Sequence, residues 1–244
     1  MKLLAITCWC GDQSYADMTA KMLTDLVASL EATEIEEWIV GVLSQGTTLD
    51  AVLALPAAPG HWALVSEGKN KGFAFGMNKA LNKGLSELRE PDVVLCLNND
   101  IEMPHVDWLK ELLSELQTDC VLCPKTNYTS VNEQRAAGPE DKSPIFHGVT
   151  PGLCWLMPWG IVKAVQEHLG DRKLFPEDLG GRAWGEDNYT AGVIRTKVNP
   201  VPFKIVPRSW IRHLGAKTTC KVPADERMIC YKEAQRRMKV EGFK

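Results

Sequence analysis

Residues 92–100 read Asp-Val-Val-Leu-Cys-Leu-Asn-Asn-Asp. The apolar run from Val93 to Leu97 has no polar residue to alternate with, so it reads as a strand buried on both faces at the centre of a sheet. The run stops abruptly at Asn98, Asn99 and Asp100. The carboxyl ends of such strands are where an α/β sheet opens into a ligand crevice. One carboxylate and two amides there suit a hard, oxygen-seeking divalent ion such as Mg²⁺ or Mn²⁺, which keeps positions open for substrate phosphates. A strand followed by an ordinary polar turn reads the same nine residues without a ligand.

A second stretch lies upstream: Asn70-Lys71-Gly72-Phe73-Ala74-Phe75-Gly76-Met77-Asn78-Lys79-Ala80-Leu81. Alone, it is a glycine-containing entry into a helix that runs to about residue 88. Gly72 and Gly76 would let backbone approach a ligand closely, and Lys71, Lys79 and the helix-start amides suit a diphosphate. In order with the strand ending Leu97-Asn98-Asn99-Asp100, it resembles glycosyltransferase family 2. The likeness extends to about residue 219 and so spans most of the chain.

The resemblance implies a single GT-A domain: a Rossmann-like, mostly parallel sheet flanked by helices, with a C-terminal helix. It makes Asn98-Asn99-Asp100 a variant of the family's metal-binding D-x-D motif. Residues 104–109, Pro-His-Val-Asp-Trp-Leu, resemble the segment that follows that motif. Phe175-Pro176-Glu177 resembles the F-D-E-like triplet that comes about ten residues before the catalytic Glu-Asp pair, for which Glu186-Asp187 is the counterpart. The segment around His213, Gly215 and Thr218 resembles one whose His can complete the metal site. Without the resemblance, Glu186-Asp187 is an ordinary acidic helix start, and His213 is a lone loop histidine. One departure stands out. Where the family carries an acidic pair that holds the nucleobase, this chain has Ser44-Gln45. An amide offers both a donor and an acceptor to uracil.

The remaining sequence fills in the frame. At 244 residues and 45% hydrophobic, the chain suits one large α/β domain rather than a disordered one. No apolar run approaches the ~20 residues needed to span a bilayer. Residues 1–6 read as a first strand, not a signal peptide, so a cytoplasmic protein is expected. The cysteines read as reduced: Cys96 and Cys154 sit in apolar runs, and Cys120-x-x-Cys123 lacks the second pair a structural zinc needs. Strands are expected at residues 2–7, 38–43, 62–65, 120–123, 152–159 and, Pro-bounded and at an edge, 198–206. Helices are expected at 15–30, after 104, at 161–168 and 188–195. Residues 125–147 form a long irregular segment expected near the acceptor. Trp155 and Trp159 offer either sugar-stacking faces or core packing.

The expected division is 1–222 for the GT-A domain, with 1–100 as nucleotide-binding half and 101–222 as acceptor-binding half. Residues 223–244 then form a basic helix on the same domain. From residue 208 onward there are ten Lys/Arg and four Asp/Glu, against 18 and 27 in the rest.

The implied reaction is inverting transfer of a sugar from a nucleotide diphosphate sugar, with a UDP-sugar expected, to an acceptor hydroxyl, assisted by Mn²⁺ or Mg²⁺. Asp100 and His213 would hold the metal. Asp187, or second to it Glu186, would be the base. Thr7, Trp9, Ser44, Gln45, Asn70, Gly72, Asn78, Asn98 and Asn99 would line the donor site. Two alternatives stay open: the same chemistry on a hydroxylated base in DNA, suggested by the basic end, and a non-catalytic nucleotide- or sugar-binding module, suggested by Ser44-Gln45. Nucleotidyl transfer would want a Gly-rich basic loop after the first strand, which residues 8–14 do not supply.

Overall fold

The computed structural model describes residues 1–11, 13–46, 61–170, 172–180, 185–215 and 223–243. Thr47 and Thr48 of the second-strand tip, Trp184, and residues 216–219 of the His213 segment lie outside them.

In chain order the elements are β1 (Lys2–Cys10), α1 (Gln13–Glu31), β2 (Glu37–Gln45), β3 (Trp62–Glu67), α2 (Phe73–Glu87), β4 (Val93–Asn98), β5 (Ile101–Glu102), α3 (Trp108–Leu113), β6 (Val121–Thr126), a 3₁₀ turn (Asn132–Gln134), β7 (Ile145–His147), β8 (Cys154–Pro158), α4 (Trp159–Leu169), α5 (Glu186–Lys197), β9 (Phe203–His213) and α6 (Ala224–Val240). The strands form one sheet in the order β3-β2-β1-β4-β8-β6-β9-β5, with β7 also paired to β9.

The apolar runs of β1, β2 and β4 are continuous because both faces are covered. On β1, Leu4, Ile6 and Cys8 enter one core layer, while Leu3, Ala5 and Trp9 enter the other. The first layer is closed by α2, α4, α5 and α6, and the second by α1 and α3. Met22, Leu23, Leu26 and Leu30 of α1 are fully buried, each contributing about 1.5–3 kcal/mol of transfer free energy. Cys120 and Cys123 fall in opposite layers, so they share no ligand.

One expectation is corrected, and one open reading is decided. The late strand is Phe203–His213, not 198–206, and it is internal, with β6 on one side and β5 and β7 on the other. Helix α5 runs through to Lys197, and Pro200 and Pro202 delay the ladder. Pro207 is then absorbed by a register shift, since Val206 pairs with Pro124 but Trp210 with Lys125. Trp155 is no sugar platform: it is 0% exposed, and its indole N–H donates to Thr150 Oγ1 at 3.1 Å.

Direction matters for function. β1–β4 are mutually parallel, β8 runs against β4 and β6, and β9 runs with β6. The carboxyl ends of β1, β2, β4, β6 and β9 therefore share one sheet edge with the start of β8. Among the described residues no helix is long and apolar enough to cross a membrane.

Candidate active site

At that edge the chain brings Asp100 and His213 together. β5 pairs with β9, setting Ile101 opposite His213, and the Leu214 N–H donates to the Asp100 carbonyl at 2.8 Å. The backbone clamp leaves Asp100 Oδ2 and His213 Nε2 3.4 Å apart, with both residues buried. The other ring nitrogen, Nδ1, is 3.1 Å from the Tyr128 carbonyl. A carbonyl only accepts, so Nδ1 carries the hydrogen and Nε2 faces the carboxylate. Burial works against a charged ring, but the Asp100 carboxylate and the Tyr128 carbonyl outweigh it and hold His213 above its ordinary pKa.

A carbonyl-oriented imidazole beside a carboxylate is also the donor arrangement that a divalent ion uses, the second ring nitrogen fixing the tautomer. Among the described residues no group of three His, Cys, Asp or Glu converges. Two protein donors fit an ion that takes its remaining ligands from water and substrate phosphates, as Mg²⁺ and Mn²⁺ do. They do not fit a closed structural site.

Asp187 and Glu186 open α5 and diverge. Asp187 is half-buried; its Oδ2 accepts the Gly152 N–H at 3.0 Å and its Oδ1 the Asn188 N–H at 2.9 Å. Leu153, next to Gly152, gives its carbonyl to the Asn98 N–H at 2.9 Å. Residues 152–153 thus tie the start of α5 to the tip of β4. Glu186 turns into the core. It is 3% exposed, lies near Cys8 of β1 and is hydrogen-bonded by Cys230 of α6. Burial raises its carboxyl pKa to about 7. Of the two acids, Asp187 alone stands at the rim.

The donor-side residues fall into two groups. Trp9 and Ser44 are cross-strand neighbours near the ends of β1 and β2, and both are buried. The Trp9 indole N–H and the Thr7 hydroxyl are buried without a hydrogen-bond partner among the described residues. Asn98, at the end of β4, is half-buried.

The others are spent on the protein itself. Gln45 does not present a free amide to a base: its Oε1 accepts the Lys71 N–H at 2.8 Å and its Nε2 donates to the Gly72 carbonyl at 3.1 Å. Asn70 Oδ1 accepts the Gly72 N–H at 2.9 Å, and Gly72 itself sits at φ 100°, where a side chain would be strained. Gln45 is therefore a latch on the loop that starts α2. Gly76 brings that helix against protein, not ligand, since a Cβ there would lie 2.6 Å from Cys8 Sγ and 2.9 Å from Gln45 Nε2.

Asn78 is buried and saturated. Its Nδ2 donates to the Phe175 carbonyl and to Glu177 Oε1, both at 2.8 Å. Its Oδ1 accepts the N–H groups of Leu174 and Phe175 at 2.8 and 3.1 Å. These are the four bonds an amide makes. Thr190 of α5 donates to the Leu174 carbonyl at 2.8 Å, so Asn78 joins α2 to α5 through residues 174–177. Asn99 donates to Thr19 Oγ1 at 3.1 Å and pins the β4 tip to α1.

Sequence reasoning missed Gly152, Asn127 and Tyr128. Gly152 acts through its N–H. Asn127 brackets His213, its Oδ1 accepting the His213 N–H at 2.7 Å and its Nδ2 donating to the His213 carbonyl at 3.2 Å. Its place in the polar segment 125–147 was the one available signal. The basic end is partly neutralised: Arg236 and Arg237 pair with Glu233, and Arg237 also with Asp178.

No family model and no curated protein matches the sequence. Solved structures do match the fold. A mannosyltransferase from Pyrobaculum calidifontis, solved with GDP-Man and Mn²⁺, is 17% identical with a TM-score of 0.58, over 95% of this chain and 68% of that one. TarS of S. aureus is 18% identical with a TM-score of 0.63, over 99% of this chain and 39% of its own length. Glucosyl-3-phosphoglycerate synthase from Mycobacterium tuberculosis, solved with Mg²⁺ and UDP, is 11% identical with a TM-score of 0.56, over 99% and 79%. The chain has the GT-A glycosyltransferase fold, and it spans about two-fifths of TarS.

Proposed function

We propose that the protein is an inverting glycosyltransferase that moves a sugar from a nucleoside diphosphate sugar, UDP-linked by preference, to an acceptor hydroxyl. One observation carries this reading. The Asp100–His213 pair and the Asp187 carboxylate share the carboxyl edge of the sheet, linked through residues 152–153. Similar folds solved with GDP-Man and Mn²⁺, or with UDP and Mg²⁺, support it.

In this reading Asp100 and His213 Nε2 would hold the divalent ion. The ion, when bound, neutralises charge developing on the departing diphosphate. The β1 and β2 tips, with the orphaned Trp9 N–H, take the nucleoside. The loop latched by Gln45 fixes the entry to α2 beside the β2 tip. Asp187 takes the proton from the acceptor hydroxyl as it attacks the anomeric carbon from the face opposite the diphosphate. Inversion needs a single base, and Glu186, facing the core, does not compete for the role. Gly152 N–H fixes the Asp187 carboxylate while leaving its second lone pairs for the acceptor. The seven described cysteines are in the thiol form, which suits a reducing, cytoplasmic setting.

Donor hydrolysis in Mn²⁺ and in a chelator tests the proposal. Release of nucleoside diphosphate that needs Mn²⁺ and disappears in Asp100→Ala is the expected result; equal release with chelator contradicts it.

A further inference from the structure

Tyr128 lies two residues past the end of β6, and its neighbours on both sides are tied down. Asn127 exchanges two hydrogen bonds with the His213 backbone. Thr129 is buried; its Oγ1 accepts the Val131 N–H at 3.2 Å, and its carbonyl accepts the Arg135 guanidinium at 2.7 Å. The Tyr128 carbonyl itself holds His213 Nδ1. Between these anchors Tyr128 is 58% exposed, its ring centroid 5.6 Å from that of His213. A large flat face is thus held on fixed backbone beside the candidate metal pair. With only two side-chain torsions to order, such a ring offers contact area at low entropic cost.

Position narrows what the ring meets. In the sheet, β6 is three strands from β1, through β4 and β8. Tyr128 therefore leaves the sheet from the half that does not hold β1, β2 and β3. It adjoins the Asp100–His213 pair on the acceptor-side half of the sheet. A nucleic-acid chain would need cations to neutralise its phosphates. Arg212, next to His213 in the chain, is paired with Glu102 at 3.4 Å.

We infer that Tyr128 is the platform on which a pyranose ring of the acceptor stacks, so that the acceptor is a carbohydrate; this rests on the glycosyl-transfer reading above. The apolar C–H face of a pyranose covers the ring, while hydroxyls at its rim, with the tyrosine hydroxyl, stay hydrogen-bonded.

The test is saturation-transfer NMR of methyl gluco-, galacto- and mannopyranosides with the full chain, in UDP and Mn²⁺. The variants are Tyr128→Phe, Tyr128→Ala and Tyr128→Leu, the last keeping bulk over His213 without a flat face. At least one pyranoside is expected to bind the wild-type protein and Tyr128→Phe, and to bind the Ala and Leu variants about five- to tenfold more weakly. UDP–Mn²⁺ affinity should be unchanged in all. Undiminished binding to Tyr128→Ala, or no pyranoside binding to a wild-type protein that does bind UDP–Mn²⁺, overturns the platform and leaves the transferase reading intact. Tyr128-dependent binding of a single-stranded oligonucleotide in place of the pyranosides overturns the carbohydrate assignment. A wild-type protein that binds no nucleotide with Mn²⁺ overturns the reading beneath it.

Discussion

The Asp187 carboxylate accepts the backbone N–H of Gly152 at 3.0 Å, and the two residues pack so closely that a Cβ on Gly152 would stand 2.8 Å from the Asp187 Cβ. This contact aims the candidate base. Gly152→Ala should displace the start of α5 and lower transfer at least tenfold, with UDP–Mn²⁺ affinity retained. Steady-state rates alongside nucleotide titrations check it.

Asp187→Asn keeps an oxygen for the Gly152 N–H but removes the basic lone pair. Turnover should fall by about 10²–10⁴, with the melting temperature and donor affinity near wild type. Near-normal turnover would mean that the base lies elsewhere.

Glu186 gives a pH signature. Its folded pKa of about 7 lies above the ordinary carboxyl value of 4.5 because burial disfavours the anion. The unfolded chain therefore releases this proton first as pH rises. The group's stabilising contribution is complete below about pH 4.5 and is lost between there and about pH 7, to a ceiling of about 3 kcal/mol. Glu186→Gln should flatten this part of the stability–pH curve and leave the protein relatively more stable at pH 8. Melting temperatures of both proteins from pH 4 to 8.5 decide it.

Asn78→Ala would strand the Leu174 and Phe175 N–H groups and the Phe175 carbonyl in the interior. Leaving several buried polar groups unpaired should cost about 2–5 kcal/mol. The 174–177 segment should show faster amide exchange, which hydrogen-exchange mass spectrometry reads directly.

The fold was legible where burial on both faces leaves continuous apolar runs, as in residues 93–97. It was misread at 203–213, where Lys204, Arg208 and Arg212 interrupt the pattern. Lys204 is nonetheless buried, its ammonium 2.6 Å from Glu115, a tertiary pairing that periodicity does not show. In the site, charged residue types stood out: Asp100 pairs with His213, and Asp187 lies at the same sheet edge. Amides were harder. Gln45, Asn78 and Asn99 carry the right donors and acceptors for a ligand, and the folded chain supplies those partners from its own backbone, Glu177 and Thr19. Gly152 has no side chain to notice, and its N–H matters only because β8 begins where β4 ends.

The most direct test of the metal-assisted donor site is a thermal-shift series with UDP, GDP, dTDP and CMP, each with and without Mn²⁺, on the wild-type protein and Asp100→Ala. One nucleoside diphosphate, UDP by expectation, should raise the melting temperature only when Mn²⁺ is present, and the shift should vanish in Asp100→Ala. Stabilisation that ignores Mn²⁺ or survives Asp100→Ala, or no stabilisation by any of the four, would contradict the account.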